Sequence, residues 1–175
     1  VTSTGARLAA ALALTFSAGC AGVSGLGGPE SRAAERAGWR VYTVGALTVE
    51  APSDWVASGD GLRLALVPPE GSARLEARVS REQGPDARAC LAAAEAALKE
   101  RDGGLARVQR HPSTLGGRPA LAQEAAQGAT HGWAYVACAG PEAHWLTFTG
   151  RSPVSQRLLE DWRAVVQSAR LGGGP

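Results

Sequence analysis

The sequence predicts an α+β domain in which an antiparallel β-sheet carries helices on both faces, an α/β/α sandwich. Three observations lead there. The order of patterned segments is strands, helix, strands, helix, the order expected of helices packed on an antiparallel sheet. The strand-like runs alternate with period two, and two segments switch to helical spacing. The two late strands are apolar on both faces, so each face needs a cover.

The domain starts near Trp39. WRVYTV and LTVEAP are β-rich runs parted by Gly45-Ala46, a bend or short hairpin, and APSDW then breaks the strand because Pro52 and Asp54 favour a turn. LRLALV places Leu62, Leu64 and Leu66 on one face, and ARLEARVS alternates Leu75, Ala77 and Val79 with polar residues. PPEGS between them supplies turn chemistry. Next comes a helix, with Asp86 as N-cap, an apolar face of Leu91, Ala94 and Leu98 flanked by Ala87 and Cys90, and Gly103 as its stop. Four strands follow: LARVQRH, RPALAQEAA, HGWAYVACA and HWLTFTG. The closing helix begins with Ser152 as cap and Pro153 in its first position, buries Val154, Leu158, Trp162, Val165 and Ala169, and ends at Gly172.

An even-length turn over Gly140 to Ala143 pairs Cys138 with Trp145, Val136 with Thr147 and Tyr135 with Phe148. One face then carries Trp133, Tyr135, Ala137, Leu146 and Phe148, and the other Ala134, Val136, Cys138 and Trp145.

Composition bounds the function classes. Of 175 residues, 45% are hydrophobic and 19% charged, a globular balance. The net charge of +2 does not point to nucleic acid as a partner. No internal repeat or heptad is present.

The amino-terminal segment has its own logic. Arg7 precedes Leu8 to Phe16, an apolar run of nine residues, within the roughly 7–15 of a signal-peptide core and far short of a membrane span. Ser17-Ala18-Gly19-Cys20 follows. Ala18, Gly19 and Cys20 resemble the lipobox of bacterial lipoproteins, although Ser17 stands where that motif usually has Leu. The resemblance implies that the Cys20 thiol receives diacylglycerol and its new amino group a fatty acid such as palmitate. The competing reading is an ordinary secretory cut after Gly19 or Ala21. The expected organisation is a signal peptide over 1–19, a flexible tether over 20–38, the folded domain over 39–171 and a disordered tail over 172–175.

The layout of TVEAPSDW, a leucine-alternating hairpin, a helix, an LGGRPA turn into a strand, paired late strands and a helix ending near SARL resembles the PsbP-like fold and is similar to bacterial lipoproteins of the DcrB and LpqN type. The resemblance covers Trp39 to Leu171 and implies an accessory role without catalysis, since such proteins largely dock on or assist other proteins.

Cys90 and Cys138 are placed to pair in an oxidising compartment, the alternative being two small buried thiols. His111, His131 and His144 lack metal-ligand spacing, so no metal or other cofactor is expected. Ser113 near His111 is the one sequence-close nucleophile and base, with no GxSxG elbow, so an enzyme is not expected and a hydrolase is the weaker reading. Trp55, Trp145 and His144 are candidate partner-binding residues if exposed, with core placement as the alternative.

The resulting expectation is an exported, lipid-anchored, non-catalytic binding or accessory module of the cell envelope. It is held to the membrane through acylated Cys20 and meets an unknown envelope protein. The alternative is a periplasmic carrier of a small apolar ligand in a pocket between sheet and helix. Ala21, rather than Asp, after the cysteine favours the outer membrane over the inner.

Overall fold

The computed structural model describes residues 36–81 and 84–172. The signal-peptide segment, Cys20 and nearly all of the expected tether lie outside the described residues.

The chain forms strands β1 (Trp39–Val44), β2 (Leu47–Pro52), β3 (Val56–Asp60), β4 (Arg63–Val67) and β5 (Ala73–Arg81), then helix α1 (Ala87–Glu100). Strands β6 (Ala106–Leu115), β7 (Arg118–Gln127), β8 (Thr130–Ala139) and β9 (Glu142–Arg151) precede helix α2 (Gln156–Ser168) and a short β10 (Arg170–Leu171). A seven-stranded sheet runs in the order β3-β4-β5-β9-β8-β7-β6 and a three-stranded sheet in the order β1-β2-β10, all antiparallel. The fold is α+β with antiparallel sheets, as expected.

Each face of the large sheet has its own buried cluster. Cys90, Ala94 and Leu98 of α1 pack on Val136, Cys138, Ala143 and Trp145. On the other face Leu158, Trp162 and Val165 of α2 share a cluster with Leu75, Ala77, Leu146 and Phe148. That cluster also holds Val44, Leu47, Val49 and Ala51, so the small sheet covers this face together with α2. The expected single helix on this face is therefore half of its cover.

Local chemistry explains most element ends. The Asp86 carboxylate accepts a hydrogen bond from the Ala89 N–H at 2.9 Å and caps α1 as expected. The α1 helix stops at Glu100, short of Gly103, with Arg101 as its C-cap. Helix α2 is capped by Ser155, whose hydroxyl accepts from the Leu158 N–H, and not by Ser152. Ser152-Pro153 lies ahead of the helix and its peptide bond is cis. At the other end α2 stops at Ser168 rather than Gly172, because Arg170 and Leu171 pair with Thr48 and Leu47 of β2. Ser168 ties the two together: its Oγ accepts from the Glu50 N–H at 2.8 Å and donates to the Val165 carbonyl.

Strand β3 was not expected after the APSDW turn. All five of its residues are exposed and it pairs only with β4, so it shows no alternation to read.

The β8–β9 hairpin is tighter than expected. Its turn is Gly140-Pro141, with Gly140 at φ +59°, and Ala139 pairs with Glu142. Cys138 therefore lies opposite Ala143, Val136 opposite Trp145, and Tyr135 opposite Leu146. The shift from the expected register is two residues, which leaves every side chain on its expected face.

In the β6–β7 hairpin, Gly116 and Gly117 have φ of +59° and +80°, the two positive-φ positions of a two-residue hairpin turn. A Cβ on Gly116 would stand 2.4 Å from the backbone N of Leu171. Gly116→Ala is accordingly expected to cost about 1–3 kcal/mol, from the positive φ and displacement of β10. Gly117→Ala, which meets nothing within 4 Å, should cost less. Chemical denaturation of the two variants side by side checks this.

Candidate functional site

The three residues expected as exposed partner anchors are all buried. Trp55 is 4% exposed and belongs to the cluster under α2 and the small sheet. Trp145 is 2% exposed. It is the fourth residue of β9 rather than a hairpin-tip residue, because the two-residue turn starts the strand at Glu142. Its indole N–H donates to Ser80 Oγ at 2.9 Å, and the Arg78 guanidinium lies 4.5 Å from its ring centroid. Neither indole is exposed, so the core alternative holds for both.

His144 is fully buried on the opposite face of β9, flanked in register by Ala137 and Val79. The β1–β2 turn closes over it: a Cβ on Gly45 would lie 3.7 Å from its Cε1. Neither ring nitrogen has a hydrogen-bond partner. Burial holds its pKa below the ordinary 6.5, partly opposed by the Glu142 carboxylate. Because the unfolded chain then takes up this proton first, stability is constant above pH 6.5 with respect to His144 and declines as pH falls from there toward the folded pKa. The limiting slope is about 1.4 kcal/mol per pH unit. Urea unfolding at pH 7.5 and 5.5 should show a larger acid loss in the wild type than in His144→Leu; equal losses would place a solvated or protonated imidazole in the fold.

Cys90 and Cys138 come together as expected, with their sulfurs 2.11 Å apart, at disulfide distance. They join α1 to β8. Among the described residues no group of three or more His, Cys, Asp and Glu side chains is arranged to hold a metal ion. His111 and Ser113 sit two residues apart on β6, with no hydrogen bond joining their side chains.

The residues with the shape of a site lie elsewhere, where the sheet meets the amino-terminal end of α2. A groove of about 590 Å³ opens between β6–β8 and this helix. Register explains the opening. His111, Ala122 and Tyr135 form one cross-strand row on β6, β7 and β8. The small Ala122 between two larger side chains leaves a depression that α2 does not fill. Leu159, Trp162 and Arg163 of α2 bound it from the other side, with Pro153 and Val154 of the preceding segment.

The floor is aromatic and internally braced. Trp162 is stacked on Phe148 at 5.5 Å between centroids and 14° between planes, and Tyr135 meets Trp162 at 5.8 Å. Trp133 leans on the same Phe148 at 5.8 Å. His131 stacks on Trp133 at 4.3 Å and places its Nε2 2.8 Å from Glu124 Oε1. These contacts fix the ring orientations before anything binds.

Sequence reasoning left these residues unassembled. Trp133 is placed on an apolar sheet face and Trp162 in the buried stripe of α2, and His111 and His131 carry no metal-ligand spacing, so nothing in the pattern joins them. The available signal was a small residue, Ala122, at the centre of a row of large ones, which is visible only once the β6–β7–β8 register is known.

No protein-family model and no curated protein matches the sequence. Solved structures do match the fold. The solution structure of cyanobacterial PsbP (CyanoP) from Synechocystis sp. PCC 6803 aligns with a TM-score of 0.55 at 10% identity, over 82% of this chain and 98% of that one. A crystal structure from Bacteroides thetaiotaomicron aligns with a TM-score of 0.56 at 13% identity over 77% of this chain. The alignment spans about half, 49%, of that longer protein. At these identities the likeness is one of fold.

Proposed function

We propose that the chain is an exported, lipid-anchored, non-catalytic binding module of the bacterial cell envelope, of bacterial lipoprotein type, and that it binds a small molecule in the groove between the sheet and α2. The observation that carries the reading is the pair of partly exposed aromatic side chains Trp133 and Tyr135, braced by the buried Trp162 and lining an open volume of about 590 Å³. Small-molecule sites commonly have about 300–1,000 Å³ and mostly apolar walls with a few polar groups. This favours the carrier reading over docking through Trp55 or Trp145, since neither side chain is exposed to a partner.

Export and anchoring rest on the apolar run Leu8 to Phe16 followed by Ala18-Gly19-Cys20. The Cys90–Cys138 pair at disulfide distance accords with an oxidising compartment. Acyl chains on Cys20 would be the anchor, and among the described residues no helix is long and apolar enough to cross a membrane. Ala21 after that cysteine favours the outer membrane, periplasmic side.

Two experiments test the two halves. Intact mass and membrane partitioning of wild type and Cys20→Ala should show a diacylglycerol-sized increment that is lost in the variant, together with release into the soluble fraction. An unmodified soluble product from both contradicts anchoring. For the groove, aromatic fragments should raise the unfolding temperature of the wild type by binding the folded state. They should not raise that of His111→Trp, which fills the groove from an exposed strand position.

A further inference from the structure

Resting on the groove as the binding site, we infer that its ligand is a ring-bearing organic acid, with the ring against the partly exposed Trp133 and Tyr135 and the acid group at Arg163. The inference comes from which polar groups at the groove are already committed and which are not.

The groove's carboxylate is committed. Glu124 is occupied by His131, Nε2 to Oε1 at 2.8 Å, and His131 is further held by its stack on Trp133. Two nitrogen-bearing side chains of the lining are uncommitted. Arg163 and His111 line the groove, and among the described residues neither side chain makes a hydrogen bond or ion pair. Arg157, on the exposed side of α2, by contrast faces Asp54 and Asp161, and Arg110 holds Asp102 and donates to Gln123 Oε1.

The free His111 and Ser152 side chains of the lining can each donate or accept, and the one charged side chain there without a partner among the described residues is the Arg163 guanidinium, a donor only. A planar guanidinium recognises carboxylates and related oxyanions through paired, charge-assisted N–H bonds. The walls ask for something else in the same molecule. Stacked and tilted aromatic rings with Leu159 and Val154 beside them favour a flat apolar ring. Position joins the two requirements, because Arg163 follows Trp162 directly on α2 and lines the same groove. An acid without a ring would leave the floor wet. A ring without an acid would leave the guanidinium unused.

The test uses two probes of equal shape, indole-3-acetate and its neutral amide indole-3-acetamide, titrated calorimetrically into the folded protein and into Arg163→Gln. The expected result is saturable one-to-one binding of both probes to the wild type, with the acid at least 10-fold tighter. In Arg163→Gln the acid should fall to the affinity of the amide while the amide is unchanged. Arg163 is exposed, so an unchanged unfolding temperature should verify that the variant is folded. Equal affinities of acid and amide in the wild type overturn the acid assignment and leave the groove reading standing. Absence of saturable binding by either probe overturns the acid assignment; if the fragments of the previous test also fail, the groove reading falls with it.

Discussion

Replacing Cys90 and Cys138 together by Ala lowers the free energy of unfolding by about 4 kcal/mol and the thermal midpoint by about 15 °C. The two sulfurs are at disulfide distance across 48 residues of chain. A cross-link of that span removes loop freedom from the unfolded ensemble, and the chain-entropy treatment sets the magnitude. Packing adds to it, because Cys90 is fully buried in the cluster beneath α1 with Ala94, Leu98, Val136 and Trp145. The double variant is the right comparison, since a single replacement leaves an unpaired buried thiol. Guanidinium unfolding of wild type, double variant and reduced wild type measures it. Reduced wild type should behave like the double variant to within about 1 kcal/mol, the smaller Ala side chains making the difference. A loss below about 1 kcal/mol would mean that the bond is not formed in the folded protein.

Trp162→Ala should cost a comparable 3–5 kcal/mol or so, the range for truncating a large buried aromatic. Trp162 is 4% exposed, stacks on Phe148 and meets Tyr135. Removing it leaves a cavity between α2 and the sheet and also removes the floor of the groove. Trp162→Phe keeps most of the buried area and should cost less than half as much. Helix propensity differs little between Trp and Phe, so the denaturation midpoint of Trp162→Phe against wild type reports packing alone. A Trp162→Ala variant as stable as the wild type would show that α2 is not seated on Phe148.

The fold was legible in the sequence where burial imposes a period. Leu64, Leu66, Leu75 and Ala77 alternate because one face of β4 and β5 is covered, and Leu158, Trp162, Val165 and Ala169 recur because α2 buries one stripe. Both faces of the β8–β9 hairpin were assigned correctly despite a register error of two residues, since an even shift preserves sidedness. What burial does not pattern was lost: β3 is wholly exposed, and β10 is two residues long and held by a long-range pairing with β2. The division into two sheets was lost for the same reason, because local sequence does not say which strand a distant segment will meet.

The site was harder to see than the fold. The Cys90–Cys138 pair was legible because two cysteines on predicted apolar faces have few alternatives. The tryptophans were legible only in part. Trp145 and Trp55 are core, the alternative to exposure, and Trp162 is core as its place in the α2 stripe implies, whereas nothing in the pattern marks Trp133 as partly open to a groove. The groove depends on a gap, Ala122 between His111 and Tyr135, and gaps leave no mark on hydrophobic periodicity.

The most direct test of the groove as binding site follows the five indole N–H resonances by two-dimensional NMR while 1-anilinonaphthalene-8-sulfonate, an aromatic acid, is titrated into the ¹⁵N-labelled protein. The groove lies over Trp133 and Trp162 and away from Trp55 and Trp145. The account predicts saturable shifts at Trp133 and Trp162, little change at Trp55 and Trp145, and loss of the response in His111→Trp. Shifts centred on Trp55 or Trp145, or a response that persists undiminished in His111→Trp, would contradict it.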